Sequence, residues 1–264
     1  MTTWAEALAA WKIPDSLLAQ ATESPYGWPV ALWERRSAAA DDEEETPTER
    51  AVKGFQPRSV LDVGAGTGRS CLRYAELGLR VVAVEKDSGM ADGLRRAAAT
   101  RGVDVEVIEG RWPDVDAPMV DVVTCSHVVY DVSDIRSFLV ALVERAAMGV
   151  VIELSAEHPW ANLAPYYRAL HGLERPAGPT TSDFVAVVES VIGRAPTVER
   201  WERAGGLWFE SWDEILDLYA QRLILPVERR GELRALLEPE VTESSGRLYV
   251  GAPTRALATV SWPV

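Results

Sequence analysis

The chain is short of several residue types, and each shortage removes a class of chemistry. Its 264 residues include only two cysteines, Cys71 and Cys125. Cys71 lies inside a predicted helix and Cys125 follows a predicted strand, so the pair offers neither a disulfide framework nor a metal knuckle, and both are expected to be reduced thiols. The only lysines are Lys12, Lys53 and Lys86, and none follows a tyrosine by four residues, which excludes hydride transfer through a Tyr–Lys pair of that spacing. No apolar run reaches the roughly 18 residues that a membrane-crossing helix needs. The N-terminus has no basic stretch leading into an apolar one, so a cytoplasmic protein without membrane contact is expected. Positive charge is also scarce. With 27 Lys and Arg against 40 Asp and Glu, the net charge is −13, which argues against a nucleic acid partner, because such proteins need a basic face to neutralise phosphates. The pairs Arg35–Arg36 and Arg229–Arg230 read as solvated helix faces. The acidic run Asp41 to Glu45 reads as an exposed connection rather than a metal site.

What the chain does have is an ordered pattern between Ser59 and Glu85, SVLDVGAGTGRSCLRYAELGLRVVAVE. Val60, Leu61 and Val63 suit a buried parallel strand. Gly64, Gly66 and Gly68 then permit a turn whose backbone a ligand can approach closely. From Arg69 to Leu77 the spacing becomes helical, so the turn opens onto a helix N-terminus. Val81 to Val84 form a second strand that ends in Glu85, where a carboxylate can accept both hydroxyls of a ribose.

The segments LDVGAGTG and VVAVEKD resemble the first two motifs of class I S-adenosylmethionine-dependent methyltransferases, and the resemblance covers about Pro57 to Glu153. It implies S-adenosylmethionine as cofactor, with Asp62, Gly64, Ala65, Gly66 and Gly68 around the amino acid part and Glu85 and Lys86 near the ribose. It also implies a contact to adenine after the third strand, where the family usually has Asp. This chain has Gly110-Arg111-Trp112-Pro113 there, so Arg111 and Trp112 are the candidates, with Asp114 as a substitute acid. Ser126, at the end of the fourth strand, completes the expected cofactor set.

The remaining pattern supports a doubly wound, Rossmann-like α/β sheet of seven strands. Helices are predicted over Trp4–Trp11, Ser16–Thr22 and Trp28–Ser37, before the first strand. Residues 1–50 are read as an N-terminal helical cover and acidic linker, with Tyr26, Trp28 and Trp33 as aromatic contacts at the cofactor mouth or as simple core packing. Residues 51–264 are read as the methyltransferase domain. Within it, helices are expected over Met90–Thr100 and Ser133–Ala146, the latter capped by Ser133, and strands over Val103–Ile108, Val120–Cys125 and Gly149–Leu154. A helix over Ser182–Ile192, a strand over Thr197–Arg203, helices over Trp212–Ile224 and Val227–Leu237, and a last strand near Ala256–Trp262 follow. That order is similar to the family's ending, in which strand seven inserts antiparallel beside strand five. Acceptor-binding insertions are placed near 155–180 and 205–240.

Methyl transfer requires alignment of the acceptor, exclusion of water and, for a hydroxyl, removal of a proton. Ligands in open sheets bind beyond the carboxyl ends of the strands. His127, leaving the fourth strand in CSHVVYD, is therefore the first candidate base. Tyr130 follows within reach, and Glu153 and His158 are second candidates; for each, a purely structural role is the competing reading. No Asp-Asp or Asp-Asn pair suggests magnesium, so metal-free chemistry is expected. The ten tryptophans allow a sugar acceptor, since flat aromatic faces pack on pyranose rings. The reading is thus an O-methyltransferase for a small molecule, as a monomer or homodimer, with a small-molecule N-methyltransferase or a non-catalytic cofactor-binding protein as alternatives.

Overall fold

Strand and helix alternate along the chain as the hydrophobic periodicity requires. The computed structural model describes residues 3–27, 29–39, 44–204, 207–252 and 254–264. Four helices come first: α1 (Trp4–Ala9), α2 (Asp15–Leu18), α3 (Val30–Ala39) and α4 (Pro47–Gly54). The alternating part runs β1 (Ser59–Val63), α5 (Cys71–Glu76), β2 (Arg80–Glu85), α6 (Ser88–Arg101), β3 (Glu106–Glu109), β4 (Val120–Ser126), α7 (Ile135–Arg145) and β5 (Ala146–Ser155). Then come α8 (Ala164–His171), α9 (Thr181–Ile192), β6 (Thr197–Ala204), β7 (Leu207–Phe209), α10 (Trp212–Leu223), α11 (Arg230–Leu237), β8 (Val241–Ser244), β9 (Arg247–Val250) and β10 (Thr254–Pro263).

These elements form two compact units. The larger comprises Val30–Ala156, Thr181–Trp201 and Leu257–Val264. Its sheet has the order β3-β2-β1-β4-β5-β10-β6. β1 pairs in parallel with β2 and β4, and β4 in parallel with β5, whereas β10 runs antiparallel to β5 with Val260 opposite Ile152. This is the expected seven-stranded sheet with the last strand reversed. Val60, Leu61, Val82, Val122, Val123, Val150 and Ile152 are fully buried, because helices cover both faces of a parallel sheet and every strand position then needs an apolar side chain. On one face Leu72, Tyr74 and Leu94 join Val52 in the core.

The smaller unit comprises Met1–Pro29, Glu157–Thr180 and Glu202–Ala256. Its three-stranded antiparallel sheet, β7-β9-β8, has no counterpart among the sequence expectations. β8 and β9 are joined at Ser245-Gly246, both at positive φ (52° and 71°), which is the twist that a tight two-residue hairpin demands. The helical part is held by aromatic and cationic contacts. Trp11 stacks on His158 at 4.1 Å between centroids, Tyr26 stacks on Trp160 at 5.3 Å, and the Arg175 guanidinium lies over both Trp11 and Tyr167.

Three local expectations are corrected. α7 is capped by Asp134, whose carboxylate accepts the Ser137 N–H at 3.2 Å, not by Ser133, since a charged oxygen is the stronger acceptor of a helix's first amides. The helix expected over Ser16–Thr22 is the four-residue α2, ended by three-residue turns from Gln20 and Ala21 back to the carbonyls of Leu17 and Leu18. α3 begins only at Val30; Trp28 and the acidic residues 41–43 lie outside the described residues. α4 was not expected at all, although Thr46-Pro47-Thr48-Glu49 carries a capping box with proline at the first turn. Among the described residues no helix is long and apolar enough to cross a membrane.

Candidate active site

The carboxyl ends of β1, β2, β4 and β5 bring most of the candidate residues together in the larger unit. The turn after β1 is closed by backbone hydrogen bonds: Gly64 and Ala65 donate to the Val84 carbonyl at 2.8 and 3.1 Å, and Gly68 donates to Ala65 at 3.0 Å. Gly64 sits at φ 74°, and a Cβ there would fall 2.1 Å from Val128 Cγ2, so the turn packs against the start of the segment after β4. Gly66, at φ 57°, is different. A Cβ on it would meet open space, which leaves its backbone face available to a ligand.

Glu85 ties this turn to the next helix. Its buried carboxylate accepts the Gly66 N–H at 2.8 Å and the Asp87 N–H at 2.9 Å, and Asp87 in turn caps α6 by accepting the Met90 N–H. A carboxylate has about four lone-pair sites, so two remain for hydroxyls of a bound ribose. Asp62 is buried at the end of β1, where its carboxylate accepts the Thr124 hydroxyl at 2.9 Å. Burial pushes its pKa up to about 7; the charges of Glu85 and Glu153 act in the same direction, and the Thr124 hydroxyl and Arg69 oppose them. Such a group gains from any cation brought to it.

Two buried polar atoms at this end of the sheet have no hydrogen-bond partner among the described residues: Trp112 Nε1 and Ser126 Oγ. Buried donors left alone are rare, and these two, with the open face at Gly66 and the cation-seeking Asp62, fit an S-adenosylmethionine site. The other candidates are more exposed. Lys86 pairs with Asp131 at 2.8 Å, Arg111 is on the surface, and Asp114 is an exposed residue whose N–H donates to the Arg111 carbonyl. α3 lies beside the turn, with Ser37 Oγ and Thr67 Oγ1 2.6 Å apart and the Trp33 carbonyl accepting from Thr67.

Of the four candidate catalytic residues, His127 and Glu153 are in direct contact. His127 Nε2 lies 3.0 Å from Glu153 Oε1, and the His127 N–H donates to the Glu153 carbonyl at 2.9 Å. His127 has φ 60°, a left-handed conformation that costs a residue with a side chain of order 1–2 kcal/mol. Strain of this kind persists where the surroundings over-determine it. Glu153 is almost wholly buried, at 2% exposure, and is compensated by Arg69, 3.0 Å away, and by the Thr48 hydroxyl, which donates to Oε2 at 2.8 Å. The Tyr130 hydroxyl is already committed, donating to the Ser155 carbonyl at 2.7 Å, and burial pushes its pKa well above the usual value. It can shape the site but is a poor base. His158 belongs to the smaller unit, where its ring stacks on Trp11 and its Nδ1 accepts the Trp160 N–H. Sequence reasoning missed Thr48 and Arg69. The capping box around Thr48 was a readable signal for the helix, whereas nothing local marks either side chain as a partner of Glu153. Among the described residues no cluster of His, Cys, Asp or Glu is arranged to hold a metal ion.

Comparison with known proteins bears on the family and the fold. A family model described as a methyltransferase domain matches residues 60–147. Over 91 residues the chain is 37% identical to a cypemycin N-terminal methyltransferase from a Streptomyces species; the match spans 34% of this chain and 36% of that relative's length. Among solved structures, a Bacillus halodurans protein described as a methyltransferase superposes with a TM-score of 0.54 at 15% identity, covering 82% of this chain and 97% of the other. A structure concerned with conversion of a disulfide bond into a thioacetal group during echinomycin biosynthesis gives 0.53 at 16% identity, covering 91% and 88%. At these identities the structural likeness speaks for the fold, and the family model speaks for residues 60–147, about a third of the chain. Glycine turn, acidic strand end, strand order and family match coincide on one cofactor, S-adenosylmethionine, and residues 60–147 match a methyltransferase domain.

Proposed function

We propose that the chain transfers a methyl group to a hydroxyl of a small-molecule acceptor, and that His127 removes the acceptor's proton. The observation that carries this reading is the His127–Glu153 contact at 3.0 Å at the strand ends beside Ser126. An imidazole titrates near neutral pH, and a carboxylate beside it stabilises the charged ring that forms on proton uptake. When bound, S-adenosylmethionine supplies a methyl group already activated on a sulfonium. The chain's residues have the remaining work: Glu85, Asp62 and the Gly66 backbone hold the cofactor, Tyr130 fixes the Ser155 carbonyl by donating to it, and His127 receives a proton at its ring. Residues 155–180 and 205–240 are the segments assigned to acceptor binding. The chain's ten tryptophans are consistent with a sugar or another natural product carrying hydroxyls.

A second reading has its own support. The sequence relative is a methyltransferase for an N-terminus, and an amine acceptor must also lose a proton, so the same dyad would serve it. Methyl-labelled S-adenosylmethionine offered with paired acceptors, alike except for hydroxyl or amine, separates the two. Label in the hydroxyl partner is expected; label only in amines would move the assignment to N-methylation, and no label in any acceptor would favour a cofactor-binding protein without transfer. His127→Ala should lower turnover by roughly 10²- to 10⁴-fold while cofactor affinity by calorimetry stays unchanged. Full turnover in that variant would remove His127 from the chemistry.

A further inference from the structure

The polar chain behind His127 has a direction, and the direction fixes which ring nitrogen takes a proton. Trp201 Nε1 can only donate, and it donates to Thr259 Oγ1 at 3.1 Å. Thr259 Oγ1 lies 2.8 Å from Thr48 Oγ1, and Thr48 Oγ1 lies 2.8 Å from Glu153 Oε2. The ionised carboxylate can only accept, so the Thr48 hydroxyl proton is spent on Glu153. Thr48 oxygen must then accept from Thr259, whose own oxygen accepts from Trp201. Each hydroxyl donates once, and the whole line points toward Glu153.

At the other oxygen, Oε1, Arg69 donates at 3.0 Å and His127 Nε2 stands at 3.0 Å. Glu153 is 2% exposed and its two oxygens accept from Arg69 and Thr48, so an imidazole lone pair facing Oε1 at 3.0 Å would be repelled and the contact is favourable only with a hydrogen on Nε2. Nε2 therefore carries the hydrogen. In the neutral ring the lone pair is left on Nδ1, the nitrogen 3.5 Å from Ser155 Oγ. The Ser155 backbone is itself pinned, its carbonyl accepting from Tyr130 and from Thr181.

Resting on the proposed role of His127 as base, we propose that Glu153 is a positioning residue and not a base, that Arg69 and Thr48 hold it ionised, and that together they lock His127 in the Nε2–H tautomer so that Nδ1 is the nitrogen that receives the acceptor's proton. The balance is simple: the acceptor's O–H bond breaks, Nδ1–H forms, the oxygen's electron pair makes the new bond to the methyl carbon, and the sulfonium's bond to that carbon returns its electrons to sulfur. Glu153 neither gains nor loses a proton in this step. It stabilises the doubly protonated ring across the Nε2 contact.

The test is nitrogen-15 NMR of histidine-labelled protein with S-adenosylhomocysteine added. In the wild type, His127 is expected as the Nε2–H tautomer. Glu153→Leu removes the acceptor and should give a mixture of tautomers, with turnover reduced on the order of 10²-fold or more, since a misassigned imidazole tautomer is costly in a base, and with the KM for S-adenosylmethionine little changed. Thr48→Val should lower turnover less, and Thr48→Ser should restore it. An Nδ1–H ring in the wild type overturns the assignment whether or not Glu153→Leu folds, as does an unchanged tautomer in a folded Glu153→Leu or equal turnover in Thr48→Val and wild type. Failure of the function itself looks different: the tautomer would be as stated, but no acceptor would take label.

Discussion

Asp62 shows how a single side chain can report on ligand binding. Its carboxyl is buried with a pKa near 7, against about 4 for an exposed aspartate. Between those two values the folded protein holds a proton that the unfolded chain has released. The stability tied to that proton is therefore fully present below about pH 4 and is lost as pH rises through 7. Asp62→Asn does not titrate, so the variant's melting temperature should gain on the wild type between pH 5 and pH 8; a constant difference would mean that Asp62 does not titrate there. A cation brought beside Asp62, as the amino acid part of S-adenosylmethionine would be, favours the ionised form. Binding near pH 7 should then release a proton, seen in calorimetry as a heat that varies with the ionisation enthalpy of the buffer, and the dependence should vanish in Asp62→Asn.

Among the elements, α4 has the most consequence for its length. Thr46 and Glu49 form a reciprocal cap, Pro47 starts the helix, and Glu49 also pairs with Arg73 of α5 at 2.7 Å. The helix thereby presents Thr48 to Glu153. Thr46→Ala should cost about 1 kcal/mol, the usual worth of such a cap, read as a shift in the denaturant midpoint with unchanged slope. Because the same turn carries Thr48, turnover in this variant should fall further than its folded fraction does. Equal losses of both would mean that the turn is only structural. The capping pattern, written as Thr-Pro-Thr-Glu, was legible in the sequence and was passed over, as was the Ser245-Gly246 hairpin signal between β8 and β9.

At the scale of the whole molecule, what was legible follows sequence distance. The glycine turn and Glu85 lie within one short segment, and the place of the last strand beside the fifth followed from the family that this segment resembles. The β10–β5 antiparallel pairing was expected for that reason and is seen. By contrast, the expected boundary at residue 50 falls inside α4, and the smaller unit draws on three separated stretches, 1–29, 157–180 and 202–256. Side-chain partners such as Thr48 and Glu153, 105 residues apart, leave no periodic trace, because periodicity records which face of an element is buried and not what it meets. Charge, in contrast, is a property of the full composition. With a net charge of −13, labelled RNA or duplex DNA should not be retained at physiological salt in a filter-binding assay; retention that weakens steeply with added salt would overturn this.

The place of β10 in the sheet has a consequence for how the protein is made. Among the described residues β6 joins the sheet only through β10, and β10 fills the edge of β5. While the ribosome is still adding residues after β5, the apolar edge of that strand is an unpaired template, and β6 has no neighbour to join. A chain that folds as it emerges would pass through a stage with a five-stranded sheet whose β5 edge is open beside the permanent edge at β3, and an open edge is the kind that recruits other chains. Closure waits for residues 254–263 to emerge. The late strand acts as a latch on the sheet, and the interval before it engages is when a chaperone has most to protect.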